Sequence, residues 1–166
     1  MRSFDHREPG ILGAALTHDN LYAELICDGI HVAPEAVQIF SRAKGLDRAI
    51  LVTDSISATG MGNGTYMLGD LQVTVDGPRC LLAGTNTLAG SVLTLEQAVQ
   101  NYAHYTNIPW QQTIRLASRN PAQMLGLSST IGRLAPGSAA SFNRYNRHGK
   151  RIATYLRGEE LALTKA

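Results

Sequence analysis

Hydrophobic and polar positions divide the chain into short elements of differing period. Leu21–Cys27 (Leu-Tyr-Ala-Glu-Leu-Ile-Cys) is mostly apolar on both parities, which predicts a strand covered on both faces. A helix is predicted from Pro34. The proline suits its first turn, Ala36, Val37, Phe40 and Ala43 recur along one face, and Gly45 ends it. Ala49–Thr53 (Ala-Ile-Leu-Val-Thr) predicts a second buried strand. Strand, helix and strand with short joints form a βαβ unit, and such units build parallel sheets.

The following stretch, residues 54–64, is rich in Gly, Ser and Asn and reads as loop. Thr65–Leu68, Leu71–Val75 and Arg79–Ala83 alternate around Gly69-Asp70 and Asp76-Gly77, predicting an antiparallel excursion over about 62–83. A Gly/Thr loop from Gly84 to Ser91 leads to a helix in which Thr94 and Gln97 have capping-box spacing. Its inner face would hold Ala98, Val99, Tyr102 and Ala103. A further helix is expected near Pro109, presenting Trp110, Ile114 and Ala117. Asn120-Pro121 opens one or two more turns that stop at Gly126. Ser128–Ser138 is loop-like, and Ser141–Asn146 with Arg151–Arg157 suggests two strands around His148-Gly149. This change of texture places a boundary near 128, dividing the chain into 1–127 and 128–166.

The chain has 166 residues, a length that suits one ordinary domain, and 44% of them are hydrophobic, enough for a real core. Fifteen basic residues face 13 acidic ones without a run of five or six like charges that would read as a nucleic-acid stripe or a tail, so neither a nucleic acid nor a membrane is expected as partner. No apolar stretch approaches the roughly 18 residues a membrane span needs. The polar start MRSFDHREPG lacks the apolar region of a secretory signal. Cys27 and Cys80 have no CxxC partner and read as two buried thiols of a reducing, cytoplasmic protein.

Chemistry-bearing residues cluster after the two buried strands. Asp28 and His31 follow the first, in Cys27-Asp28-Gly29-Ile30-His31, and Asp54 follows the second. In a parallel α/β sheet or barrel that edge binds ligands and carries catalysis. A carboxylate there serves as general base when its proton partner is in reach. It equally caps a turn, and His31 equally packs at a helix entrance. Arg7, in His6-Arg7-Glu8-Pro9-Gly10, offers a fork of donors to a phosphate or is a solvated charge. The Gly84–Ser91 loop offers backbone N–H groups to an anion or is a connector. The five histidines form no HxH or HExxH pair, so no metal site is expected within the chain.

The strings REPGILGAAL, CDGIHVAPEAV, ILVTDSISATG, GTNTLAGSVLT and SRNPAQMLGL followed by IGRLAPG resemble, in order and spacing, the N-acetylglucosamine-6-phosphate deacetylase family of the amidohydrolase superfamily. The resemblance runs to about residue 137. It implies an α/β fold: the C-terminal part of a metal-dependent (β/α)8 barrel, followed by a fragment of a small β-sandwich. It also implies hydrolysis of the acetamide to glucosamine 6-phosphate and acetate. Asp54 would match the catalytic aspartate after the last barrel strand, carrying a proton from water to the leaving amine. His31 would match a substrate-binding histidine, with Asp28, Gly29 and Ile30 lining the same edge. Arg7 would match the arginine that reaches the sugar phosphate, and Leu88, Ala89 and Gly90 a loop touching substrate.

The family's divalent metal, zinc or similar, is held by a glutamate and two histidines on earlier strands. On this resemblance Met1 would match the methionine just after the last metal histidine, so those ligands would precede the chain. Two strands cannot close an eight-stranded barrel. The chain is therefore expected to be inactive alone, and to associate with copies of itself or with the missing N-terminal half. Beyond residue 137, Ser138–Tyr145 stands where the family has an Asp-rich stretch and an apolar strand. Two other readings stay open: a non-catalytic sugar-phosphate-binding or interaction fragment, and an amidohydrolase acting on a different amide.

Overall fold

A computed structural model describes residues 4–162, so the reading of Met1 lies outside the described residues. The chain forms a mixed α/β structure of two compact units, Met1–Ala117 and Ser118–Ala166. The division falls N-terminal to residue 128, where the sequence texture changes. The near balance of total charge hides an asymmetry. Eight of the 15 basic residues and two of the 13 acidic ones belong to the second unit.

In the first unit, helix α1 spans Gly10–Thr17, strand β1 Ala23–Ile26, helix α2 Pro34–Arg48 and strand β2 Ala49–Val52. β1 and β2 are parallel, pairing Ala23 with Ala49 through Ile26 with Val52, as a βαβ unit requires. The strands differ in cover. β2 buries Ala49, Ile50 and Leu51, whereas β1 alternates, with Ala23 and Leu25 inside and Glu24 exposed. The expectation that β1 is covered on both faces holds only unevenly: Ala23 and Leu25 are buried on one face, while on the other Ile26 packs partly buried against the core and Glu24 is exposed. The backbone of α2 leaves the helical region at Gly45 (φ 61°, ψ −166°), the residue predicted to end it, and one further turn reaches Arg48. The buried face of α2 is Val37, Phe40 and Lys44, while Ala36 and Ala43 are exposed. Lys44 is tolerated inside because its ammonium donates to His18 O at 2.7 Å.

Ala23, Leu25, Cys27, Ala49 and Leu51 pack with Val37 and Phe40 of α2 and with Ala98, Val99 and Tyr102 of helix α3 (Leu95–Thr106). Thr94 caps α3 by accepting from Gln97 N–H at 3.2 Å. The Gln97 side chain turns instead to Asn101 (2.8 Å), so only half of a capping box forms. Helix α4 (Trp110–Thr113) runs into a 3-10 turn at Ile114–Ala117.

The excursion is a three-stranded antiparallel meander of β3 (Gly64–Leu68), β4 (Leu71–Asp76) and β5 (Arg79–Leu82). Its inner face builds a second core from Val73, Val75, Cys80, Ile56 and Ala58. Cys27 and Cys80 are both free and buried.

The second unit contains α5 (Arg119–Met124) and an antiparallel meander of β6 (Phe142–Tyr145), β7 (Arg151–Leu156) and β8 (Glu159–Leu161). Cross-strand partners Phe142 and Tyr155 stack with ring centroids 4.7 Å apart. Asn146 shapes the hairpin by accepting from His148 N–H (2.9 Å) and Lys150 N–H (3.0 Å). No described helix is long and apolar enough to cross a membrane.

Candidate functional site

The C-terminal edge of the parallel pair holds the candidate chemistry. Since Ile26 lies beside Val52, Asp28 and Asp54 each follow two residues beyond the last paired position of adjacent strands. Residues 27–33 join β1 to α2 without forming a helix or strand, and Asp28 organises this joint. Its Oδ1 accepts from Ile30 N–H and His31 N–H, both at 2.8 Å, the Asx-type turn short carboxylates favour. Its Oδ2 lies 2.6 Å from His31 Nδ1. The ionised carboxylate only accepts, so the shared hydrogen belongs to Nδ1, leaving Nε2 as the nitrogen available to a ligand.

Burial acts to raise the Asp28 carboxyl pKa. The hydrogen bonds from the His31 ring and from Ile30 and His31 N–H, with the His31 charge, outweigh it and hold the carboxyl below its ordinary range. The side chain is only 5% exposed, so this compensation acts with little solvent screening. Gly29 is required at its position. It has φ +77°, and a Cβ there would meet Tyr105 Oη at 2.6 Å. Beside it, burial and then the Asp28 charge push the Cys27 thiol up to about 12, which makes it a packing group rather than a nucleophile.

Asp54 is exposed and has φ 50°, a left-handed conformation uncommon outside glycine. Among the described residues its carboxylate has no hydrogen-bond or ion-pair partner. Its backbone, by contrast, is tied to the second loop. Ser91 N–H donates to Asp54 O at 2.8 Å and Ile56 N–H to Ser91 O at 2.9 Å. Gly90 makes this approach possible: at φ +71°, a Cβ would stand 3.0 Å from Asp54 O and 2.7 Å from Ile56 Cγ2. Leu88 and Ala89 are held against β5, through a bridge to Leu81 and Ala89 N–H donating to Cys80 O at 3.0 Å.

The structure therefore brings Gly29, Ile30 and His31 to Asp28, and Gly90 to Asp54. Arg7 is exposed, with its backbone N–H on Asp5 Oδ1 at 2.8 Å. No hydrogen bond or ion pair joins its side chain to the other candidates. Asn101 and Tyr105 complete the site without having been singled out by pattern, and Ser91 entered the sequence reading only as the end of the Gly84–Ser91 loop. Asn101 donates to Cys27 O at 2.8 Å and so holds the end of β1. The only sequence signal for it was its spacing from Gln97 on the polar side of α3.

Among the described residues no three His, Cys, Asp or Glu side chains gather where they could hold a metal ion. Asp28 and His31 already engage each other. These residues do not by themselves fit a metal centre.

The amidohydrolase family profile matches residues 17–160. The chain is 38% identical over 165 residues to N-acetylglucosamine-6-phosphate deacetylase of Bacillus subtilis (strain 168), covering 99% of this chain and 41% of that protein. It is 41% identical to the Bos taurus enzyme of the same name, covering 96% of this chain and 40% of that one. It thus spans about two-fifths of the length of these relatives. A shorter relative, a putative N-acetylgalactosamine-6-phosphate deacetylase of Escherichia coli (strain K12), is 38% identical and 83% covered, against 85% of this chain.

Among solved structures, the N-acetylglucosamine-6-phosphate deacetylase of Thermotoga maritima superposes with a TM-score of 0.89 at 38% identity, over 96% of this chain and 43% of that one. A mutant of the Mycobacterium smegmatis enzyme, in complex with N-acetyl-D-glucosamine-6-phosphate, superposes with a TM-score of 0.88 at 35% identity, over 96% of this chain and 42% of that one.

Proposed function

Because the chain belongs to the amidohydrolase family, whose members generally use a divalent metal, we propose that it supplies the proton-carrying and part of the substrate-binding wall of a deacetylase acting on N-acetylglucosamine 6-phosphate. The observation that carries this reading is the placement of the Asp28–His31 pair and Asp54 beyond the matched ends of adjacent parallel strands. β1 and β2 are then the last two strands of a (β/α)8 barrel within residues 1–127, with the 62–83 meander as its excursion. Residues 128–166 belong to a small β-sandwich. The working assembly is cytoplasmic and is completed by further copies or by the rest of the relatives' length.

In this reading Asp54 accepts a proton as water adds to the acetyl carbonyl, forming the new C–O bond. It returns the proton to nitrogen as the C–N bond breaks, giving acetate and glucosamine 6-phosphate. Its exposure and lack of a competing partner suit a group that exchanges a proton twice. His31, oriented through Nδ1 by Asp28, presents Nε2 to the substrate. Gly29 and Ile30 shape the wall beside it, and Leu88, Ala89 and Gly90 form the opposite rim. Arg7 binds the 6-phosphate through its guanidinium fork.

The test is release of acetate from N-acetylglucosamine 6-phosphate with added zinc. It is run for this chain alone and mixed with a polypeptide supplying the remainder of the Bacillus subtilis relative. Asp54→Asn is expected to lower whatever turnover appears by about 10²- to 10⁴-fold, the usual share of general acid–base catalysis. Turnover at the unsubstituted rate in that variant would refute the assignment.

A further inference from the structure

We propose that Ser91 is a positioning residue whose buried hydroxyl, together with its backbone, fixes the left-handed conformation of Asp54 and so the aim of its carboxylate. The inference rests on the reading of Asp54 as the proton carrier and adds a residue to it. The orientation of Asp54 depends on the peptide units on either side of its Cα. The Thr53 carbonyl belongs to the unit before it, and Ser91 Oγ donates to that oxygen at 2.5 Å. The Asp54 carbonyl belongs to the unit after it, and Ser91 N–H donates to that oxygen at 2.8 Å. One residue thus restrains both dihedrals of Asp54. Ile56 N–H, on Ser91 O at 2.9 Å, closes the bridge that pairs Ser55 with Ser91.

The hydroxyl is itself held. Ser91 is 2% exposed, and its oxygen accepts from Leu93 N–H at 3.1 Å, so its one hydrogen is committed to the Thr53 carbonyl. The need for such a clamp follows from two facts about Asp54. A left-handed conformation is unfavourable for a residue with a Cβ, so an unrestrained loop would relax from it. Its carboxylate also has no partner among the described residues, so the backbone, which sets the direction of the Cα–Cβ bond, is the one part of Asp54 that neighbouring residues hold. The backbone bonds of Ser91 would survive any side chain. The bond to the Thr53 carbonyl requires a hydroxyl at this position.

The experiment compares Ser91→Ala and Ser91→Thr with the unsubstituted chain by NMR, reading the intraresidue HN–Hα cross-peak of Asp54, which is intense only at positive φ. Unchanged amide shifts outside 53–56 and 90–93 establish that each variant is folded. Ser91→Ala is expected to lose at least half of the cross-peak intensity, and Ser91→Thr, which keeps the hydroxyl, to retain it. In the active mixture of the preceding section, Ser91→Ala should lower kcat by about 10- to 100-fold with KM within twofold, as expected for a misaimed rather than an absent group.

Full cross-peak intensity in folded Ser91→Ala would overturn the proposal. Equal loss in the Ala and Thr variants would also count against the hydroxyl as the cause. Asp54→Asn reports separately on the functional reading. Full turnover in that variant would remove Asp54 from the chemistry, while the cross-peak comparison would still decide whether Ser91 holds its backbone.

Discussion

Replacing Asp28 by Asn keeps the shape of the side chain and removes its charge, isolating what ionisation contributes to the strand–helix joint. Asp28 accepts three hydrogen bonds at 2.6 to 2.8 Å, two from backbone N–H groups and one from the His31 ring. An amide oxygen still accepts the two backbone bonds, now without charge assistance. The amide nitrogen facing Nδ1 is a donor, so the ring must present a lone pair there and move its hydrogen to Nε2. A hydrogen bond to a charged group is worth about 1.5–3 kcal/mol and a neutral one about 1 kcal/mol. The substitution should therefore cost about 2 kcal/mol. With a urea slope of roughly 1–3 kcal/mol/M, the unfolding midpoint falls by about 1 M.

Trp110, the chain's one tryptophan, lies in the same unit and reports the transition by fluorescence. The pH dependence carries the same information. A carboxyl held below its ordinary range stabilises the fold above the unfolded-state value, about 3.9, and this stabilisation is lost as pH falls through the folded-state value. The two proteins should therefore differ fully at pH 7, and the difference should begin to shrink as pH falls below about 4 and vanish only below the folded-state value. A midpoint for Asp28→Asn equal to that of the unsubstituted chain, or a difference undiminished at pH 3, would refute the account.

Gly90→Ala should destabilise the first unit by about 2–4 kcal/mol, since it adds left-handed strain to contacts with Asp54 O and Ile56 Cγ2; a urea midpoint within error of the unsubstituted chain would contradict this. Thr94→Ala should cost about 1 kcal/mol by leaving Gln97 N–H uncapped, and Thr94→Ser should recover most of it in the same assay. Both thiols are buried, and burial raises the pKa of each. A disulfide-exchange reagent at pH 8 should consequently label them only as the chain unfolds, and rapid labelling of either in the native protein would show the packing to be wrong.

Much of the local structure was legible because its causes lie within a few residues. The Thr94 cap, the Pro34 entry to α2, the three strands of the excursion and the Asn146 hairpin each depend on side-chain and backbone groups close in sequence. Helix α1 was not anticipated. Gly-Ile-Leu-Gly-Ala-Ala-Leu-Thr has no regular polar face, and only Gly13 in it is buried. The buried face of α2 keeps the expected Val37 and Phe40 but takes Lys44 in place of Ala36 and Ala43, because Lys44 counts as polar by type whereas its stem packs inward and its ammonium finds His18 O. The cover of β1 is uneven, with Glu24 exposed beside a partly buried Ile26, for a related reason: apolar composition shows that a strand is able to be buried, not what lies against each face.

The candidate site divides in the same way. Asp28 and His31 stand three residues apart, so the turn that joins them is a local consequence of a short carboxylate followed by glycine. The residues around Asp54 come from far along the chain. Ser91 is 38 residues from Thr53, and Asn101 is 74 residues from Cys27. Residue types and spacings by themselves determined the βαβ order, the family resemblance and the ligand edge on which the acids stand. Only tertiary structure decided that Gly90 and Ser91 clamp Asp54 and that Tyr105 covers Gly29. Contacts of this separation exist only once burial of the shared core has offset the entropy of closing the intervening chain, and no local pattern encodes which distant residue will be there.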